Sequence, residues 1–403
     1  MKFSKLSQLF LVSSIGLLVA TLLSACLLVS IDWVFVTSAG GTGGNGTINT
    51  YAVDASSGAL HAGQPAVSSG GSSPVAMAVS ATYENLYVAN QGTSNNVVHM
   101  AIDSNGILTQ KDVVTGLGTP VSLAANQAGT FLYGIFTQAS GKATLAALPL
   151  GTDGTINATS AAASVTLTIP GNPTDVVIPT GVIALDNNGA VYVSAFDETV
   201  ANGGSTANGG WVFGYAVGSG GALTPAAGSP YKAGTKPSAL VADPTSRFVY
   251  VADYAESQLI GYTVQSGSAL SFFLSPPTRT GNEPTALTFD PRGKFLYIAN
   301  QLDNTVSAFS IDLTTGTPTI TVNTSAGSSN PTGTSPVGIT VDPALGRFLY
   351  TANYLDNSAS GFRLDPTSGS LTQTQDTPYP TAQHPTAILS IPHGNHATQS
   401  VTP

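Results

Sequence analysis

Residues 294–312 read KFLYIANQLDNTVSAFSID, and the phrase returns as RFVYVADYAESQLIGYTV at 247–264 and RFLYTANYLDNSASGFRLD at 347–365. Weaker copies of its aromatic core stand at 34–39 (VFVTSA), 85–90 (NLYVAN), 131–136 (FLYGIF) and 190–196 (AVYVSAF). The anchors are Phe35, Tyr87, Tyr133, Tyr192, Tyr250, Tyr297 and Tyr350, at separations of 52, 46, 59, 58, 47 and 53 residues. A strand-rich unit of about fifty residues, repeated seven times, is the signature of a propeller, whose units bury their faces only against one another.

Each unit has the same order. A proline opens a short apolar strand that ends in a turn, as in PTALTFDPRG at 284–293. The aromatic strand follows, then a polar loop, then an alternating strand such as TVSAFSID at 305–312. A turn carrying SGG, SNG or TTG leads to a poorly patterned outer strand. Alternation directs Val306, Ala308 and Phe309 against neighbouring units, and the Asp-Pro pairs at 243–244, 290–291 and 342–343 form turns. The first unit starts at its second strand, at Trp33, whereas HPTAILSIP at 384–392 is an inner strand with no unit behind it. Pairing the two would close the ring and remove two exposed edges. The expectation is an all-β, seven-bladed β-propeller over residues 33–391, closed by its C-terminal strand.

Composition agrees. Only 8% of residues are charged, while 44 glycines and 25 prolines punctuate a chain that is 42% hydrophobic, which suits short strands joined by turns. The net charge is −9, with no basic cluster downstream of the N-terminus. Nucleic acid is therefore excluded as a partner, because binding it requires concentrated positive charge.

Residues 1–26, MKFSKLSQLFLVSSIGLLVATLLSAC, place Lys2 and Lys5 before an apolar run and small residues before Cys26. This resembles a signal peptide ending in the lipobox of bacterial lipoproteins, which implies lipidation of Cys26 as the mature N-terminus. The alternative is an uncleaved signal anchor, since the uncharged run from Leu9 to Ile31 is long enough to span a bilayer. Either gives an exported protein tethered to the cell envelope, periplasmic or on the surface, with its body close to the membrane. Cys26 is the chain's one cysteine, so no intrachain disulfide forms. The Gly/Asn-rich stretch at 197–210 reads as an insertion in the loop after the fourth aromatic strand, and 392–403 as a disordered tail.

The segments YVAN, YVAD, YIAN and YTAN at 87–90, 250–253, 297–300 and 350–353 resemble the YVTN-type surface propellers. From Trp33 to Ile391 the chain resembles the wider group of seven-bladed lactonase-type propellers, which includes the 6-phosphogluconolactonases. The resemblance implies the fold directly and a lactone-opening activity conditionally. In those enzymes a Gly-Pro-Arg-His stretch precedes the inner strand matching 284–289, and Asn-Glu-Leu follows the aromatic strand. Here Pro284, Asn300 and Leu302 match, but Thr285 and Ala286 replace the arginine and histidine, and Gln301 the glutamate. One unit earlier, DYAESQ at 253–258 keeps Asp253 and lacks the family's second aspartate and arginine. Opening a lactone needs a base for water and a donor for the oxyanion, and a glutamine takes no proton near neutral pH.

The loops entering the inner strands and those leaving the aromatic strands emerge on one face. The first set has Ser73, Thr119, Asn172, Lys236, Glu283, Ser335 and His384 just before the inner-strand positions. The second has Asn90, Gln91, Phe136, Phe196, Asp253, Tyr254, Asn300, Gln301, Asn353 and Tyr354. The binding candidates on this rim are Lys236, Asp253, Tyr254, Glu283, Asn300, Gln301, Asn353, Tyr354 and His384. A polar, aromatic funnel suits an unidentified small molecule, a glycan or an envelope protein. The Asn and Asp residues have a second explanation, as groups that satisfy turn backbone. Asp303-Asn304 and Asp356-Asn357 offer oxygens to a hard cation but read better as turns. His393 and His396 have metal-ligand spacing without supporting ligands, and His61 and His99 stand alone. No metal, cofactor, phosphate loop or nucleophilic triad is read here, and no catalytic residue is assigned. The sequence thus favours a non-catalytic, lipid-anchored binding propeller over its alternative, a lactone hydrolase of the 6-phosphogluconolactonase type.

Overall fold

The computed structural model describes residues 30–40, 44–92, 96–157, 163–172, 174–185, 189–198, 209–321, 329–394, 399 and 401. The signal segment with Cys26, most of the 197–210 loop and His396 lie outside them.

The strands form seven antiparallel sheets. Blade 6 shows the plan: inner strand Pro284–Phe289, second strand Phe295–Asn300, third strand Thr305–Ile311 and outer strand Pro318–Ile320. Tyr297, Ala299, Val306 and Ala308 face blade 7, where they meet Ile339, Leu349 and Phe362. Leu296, Ile298, Phe309 and Ile311 face blade 5, against Phe248, Tyr250 and Leu259. The two-residue period of a strand thus divides each blade between two neighbours. The seven inner strands contact one another around a complete ring, and the core is seven clusters, one at each blade-to-blade boundary.

The ring closes as expected. The strand Pro385–Pro392 is the inner strand of blade 1 and pairs with Ser30–Ser38 from Asp32↔Pro392 to Ser38↔Pro385. His393 extends the seam beyond that strand: its N–H donates to the Ile31 carbonyl at 2.7 Å and its ring lies 5.1 Å from that of Trp33. Burial there lowers its pKa.

The anchor tyrosines also stitch the blades. The hydroxyls of Tyr87, Tyr192, Tyr297 and Tyr350 donate to Gly154, Ser268, Gly369 and Gly58 at 2.8–3.0 Å, and Tyr250 donates to Gly316. Every acceptor is a turn carbonyl of the next blade, so each tyrosine buries its ring and still satisfies its polar tip. Phe35 has no hydroxyl. In its blade the indole of Trp33 lies where a Cβ on Gly106 of blade 2 would stand.

Two sequence expectations are refined. In blades 1 and 4–7 the outer strand splits into two short pieces, as in Leu371–Gln373 and Tyr379–Pro380. Short, polar edges limit pairing with other chains. In blade 4 the inner strand is Val177–Leu185 rather than a segment opening after Asn172. Asn172 instead accepts the Asp175 N–H in a turn, and Pro179 sits at a bulge, where its missing N–H costs no ladder bond.

Candidate functional site

The two rim sets do meet on one face, and backbone hydrogen bonds join them. The carbonyls of Ser73, Lys236, Glu283, Ser335 and His384 accept the N–H groups of Gln91, Tyr254, Gln301, Tyr354 and Ala39 at 2.8–2.9 Å. In blade 4 the pair is Val176 and Glu198, so Val176 holds the place expected for Asn172. Ser73, Glu283, Ser335 and His384 all adopt positive φ near 50–60°. Such backbone often marks a functional site, but its recurrence in four blades makes it part of the rim's construction.

Side chains at the rim divide into two groups. The first is committed to structure. Asp253 is fully buried and its carboxylate accepts from the Thr235 and Lys236 N–H groups and the Gln258 amide at 2.9–3.0 Å. Asn353 donates to Ser358 and Ser360 and accepts from Thr351. Asn300 donates to Thr305 and Ser307, with its buried Oδ1 unpartnered. Gln301 donates across to the Ser335 hydroxyl at 2.8 Å. Asp303 holds both the N–H and the amide of Asn282, Asp356 holds the Thr334 N–H, and Asn304 and Asn357 accept from Ser335 and His384 in the following blades. These oxygens therefore close turns, and no cluster of metal-binding side chains exists among the described residues.

The second group remains available. The exposed Lys236 ammonium lies 5.4 Å from the Phe196 ring and 5.2 Å from that of Tyr254. The Tyr254 hydroxyl faces the half-buried Glu283 carboxylate; burial first, then that carboxylate, pushes its pKa up to about 12. Tyr354 packs against His384 at a tilt of 31° with ring centroids 4.8 Å apart, and His384 Nδ1 lies 3.1 Å from the Gly40 carbonyl. A carbonyl can only accept, so Nδ1 carries the proton and a neutral ring presents Nε2 as an acceptor. From blade 4 round to blade 1 the rim thus presents the Lys236 ammonium, the Glu283 carboxylate, the Tyr254 and Tyr354 rings and the His384 imidazole. Leu302 and Leu355, in matching loops of blades 6 and 7, are 60% and 61% exposed beside it.

One pair escaped sequence reasoning. Asp175, at the entry to the blade 4 inner strand, shares a side-chain hydrogen bond with the buried Asp197. Burial, that bond and the charge of Asp197 raise the pKa of Asp175, as when two carboxyl groups share one proton. Register exposes the pairing: Val177 opposes Asp197, two residues beyond Asp175. The shifted start of this strand hid it from the repeat.

Arginine is concentrated elsewhere. Arg247, Arg292, Arg347 and Arg363 stand at the opposite ends of the strands; Arg279 alone is at the rim end, on the outer edge of blade 5 opposite Gln258. At that opposite mouth a recess of about 430 Å³ is lined by Tyr83, Asn126 and Asp243, but Asp243 is held by the N–H groups of Thr245, Arg247 and Phe248.

With this geometry in place, the chain matches the family described as Lactonase, 7-bladed beta-propeller, over residues 33–175 and 220–332. It belongs to that family. Among solved structures, this lactonase-family propeller is similar to the periplasmic gluconolactonase PpgL of Pseudomonas aeruginosa, at 18% identity and a TM-score of 0.73, covering 90% of this chain and 99% of that one. It is also similar to a protein of Bacteroides uniformis described as a candidate 6-phosphogluconolactonase, at 16% identity and a TM-score of 0.72, covering 90% and 100%. At such identities the likeness establishes the fold. No curated protein matches the chain.

Proposed function

We propose that this propeller is an exported, membrane-tethered binding protein whose rim from blade 4 round to blade 1 takes an uncharged, hydroxyl-rich ligand such as a glycan, without turning it over. The observation that carries this reading is the state of Asp253, the one acid retained from the family pattern. Its carboxylate is fully buried and held by three donors, so it meets no water that it could activate. The replacement of the family's arginine, histidine and glutamate by Thr285, Ala286 and Gln301 points the same way. Four of the five arginines gather at the opposite strand ends, which leaves no arginine pair on the rim to clamp a phosphorylated ligand. Tyrosine faces, a lysine and a carboxylate are suited to sugar rings and hydroxyls. Export is supported by the N-terminal segment and by the periplasmic setting of the Pseudomonas relative.

Lactone hydrolysis is the second reading, favoured by the availability of Glu283 beside Tyr254 and by the family itself. In it Glu283 would draw a proton from water as the hydroxide adds to the lactone carbonyl, Lys236 would face the developing oxyanion, and collapse of the tetrahedral intermediate would break the ring C–O bond as Glu283 returns the proton to the departing alkoxide oxygen. Turnover of 6-phosphogluconolactone and a panel of unphosphorylated aldonolactones separates the two. Binding alone predicts hydrolysis at the spontaneous rate. Turnover that disappears in Glu283→Gln while the fold persists would establish the hydrolase instead.

A further inference from the structure

The first strand of the ring has a direction. Ser38 ends it beside Pro385, on the rim that carries Lys236, Tyr254 and Glu283, and its start at Ser30 lies at the other end, where Asp32 opposes Pro392. The chain therefore enters the propeller from the mouth opposite the candidate site. Only Leu27, Leu28 and Val29 separate Ser30 from Cys26, and four residue steps reach at most about 14 Å. Reaching the rim from Ser30 would require climbing the strand, about 25 Å, after passing outward across strands spaced about 4.8 Å apart. Three linking residues cannot do both.

We propose that the face opposite the rim lies on the lipid bilayer, seated by the blade 7, 1 and 2 turns around residues 365–369, 54–58 and 103–106, with the candidate site turned to the aqueous side. The inference rests on the tethered reading above, and it holds for an acylated Cys26 and an uncleaved anchor alike, because both deliver the chain to Ser30. Arg347 and Arg363 stand on this face, but so do Asp54, Asp312 and Asp365. Charge therefore does not seat it; the tether does. Two consequences follow for the site. Its ligand arrives from water rather than from the membrane, and the recess beside Tyr83 and Asn126 is shut off by lipid.

The test uses the full chain, reconstituted in phosphatidylethanolamine–phosphatidylglycerol vesicles whose headgroups carry a nitroxide quencher. With Cys26 acylated, or replaced by serine for an uncleaved anchor, an introduced cysteine is the sole reactive thiol, so Ser56→Cys, Ser368→Cys and Ala255→Cys each take one fluorophore. All three positions are exposed, the first two on the proposed lipid face and the third beside the rim. Quenching severalfold stronger at 56 and 368 than at 255, and unchanged in high salt, is expected. A vesicle-bound chain quenched as strongly at 255 overturns the orientation while leaving the tether standing. Recovery of the unmodified chain free of vesicles overturns the tether and the orientation together.

Discussion

At the scale of single residues, the rim shows how a carboxylate can be present and chemically spent. Asp253 has no exposed surface and three donors, two of them backbone N–H groups of the loop that opens its own blade. Removing it leaves those donors buried without an acceptor. Asp253→Ala is expected to cost about 2–4 kcal/mol by chemical denaturation, since hydrogen bonds to a buried charge contribute about 1.5–3 kcal/mol each and do not add fully. Asp175 makes the opposite case. Its pKa in the fold is raised, by burial first and by Asp197 next, so its contribution to stability is complete below the ordinary carboxyl range and is lost as pH rises through the raised value. Asp54, Asp153, Asp312 and Asp365 are lowered by hydrogen bonds from serine or threonine residues and stabilise in the reverse sense. The difference between wild type and Asp175→Asn isolates the pair. Thermal unfolding across pH should show the variant gaining on wild type toward neutral pH, and a constant difference would refute the shared proton.

At the scale of elements, the joint between blades depends on one turn and one tyrosine. In blade 1 the turn residue Gly58 has φ +72°, and a Cβ there would stand 2.3 Å from Phe348 of blade 7. Its carbonyl receives the Tyr350 hydroxyl at 2.8 Å. Gly58→Ala thus combines left-handed backbone on an L-residue with overpacking, and a loss of about 2–4 kcal/mol is expected, read as a lowered denaturation midpoint. The glycine at this turn was legible before any coordinates, because SGG, SNG and TTG recur in register with the aromatic strand. So were the anchors and the inner-strand prolines, since a repeat states its own alignment. What the repeat does not state is where a blade departs from it. Blade 4 carries extra residues before Val177, and those residues place Asp175 against Asp197 and Val176 on the rim. The rim's membership was legible at most positions, but the division between spent and available side chains was not. Asp253 and Glu283 are both acids in sequence, and only burial and hydrogen-bond geometry separate them.

At the scale of the molecule, stability depends on closure. Undoing the closing strand pair inside blade 1 exposes two strand edges and loosens the core between blades 7 and 1, which includes Val34, Val36, Tyr350, Tyr379 and Ile388. The inner strand Pro385–Pro392 arrives last in the chain and completes the first blade, so the N-terminal strand Ser30–Ser38 waits for it with one edge unpaired. Ending the chain after Ala382 removes that strand together with His384 and the His393 contact to Ile31. The product should lose its single cooperative transition and aggregate, because the exposed edge carries Val34, Phe35 and Val36. A synthetic peptide covering 384–394, added during refolding, should restore the transition by filling the vacant place in blade 1. A chain ended after Gly394 keeps the whole seam and should unfold like the full-length protein. If the chain ended after Ala382 folds cooperatively without the peptide, the six remaining complete blades hold the ring unaided, and the C-terminal strand is a cover on blade 1 rather than its closure.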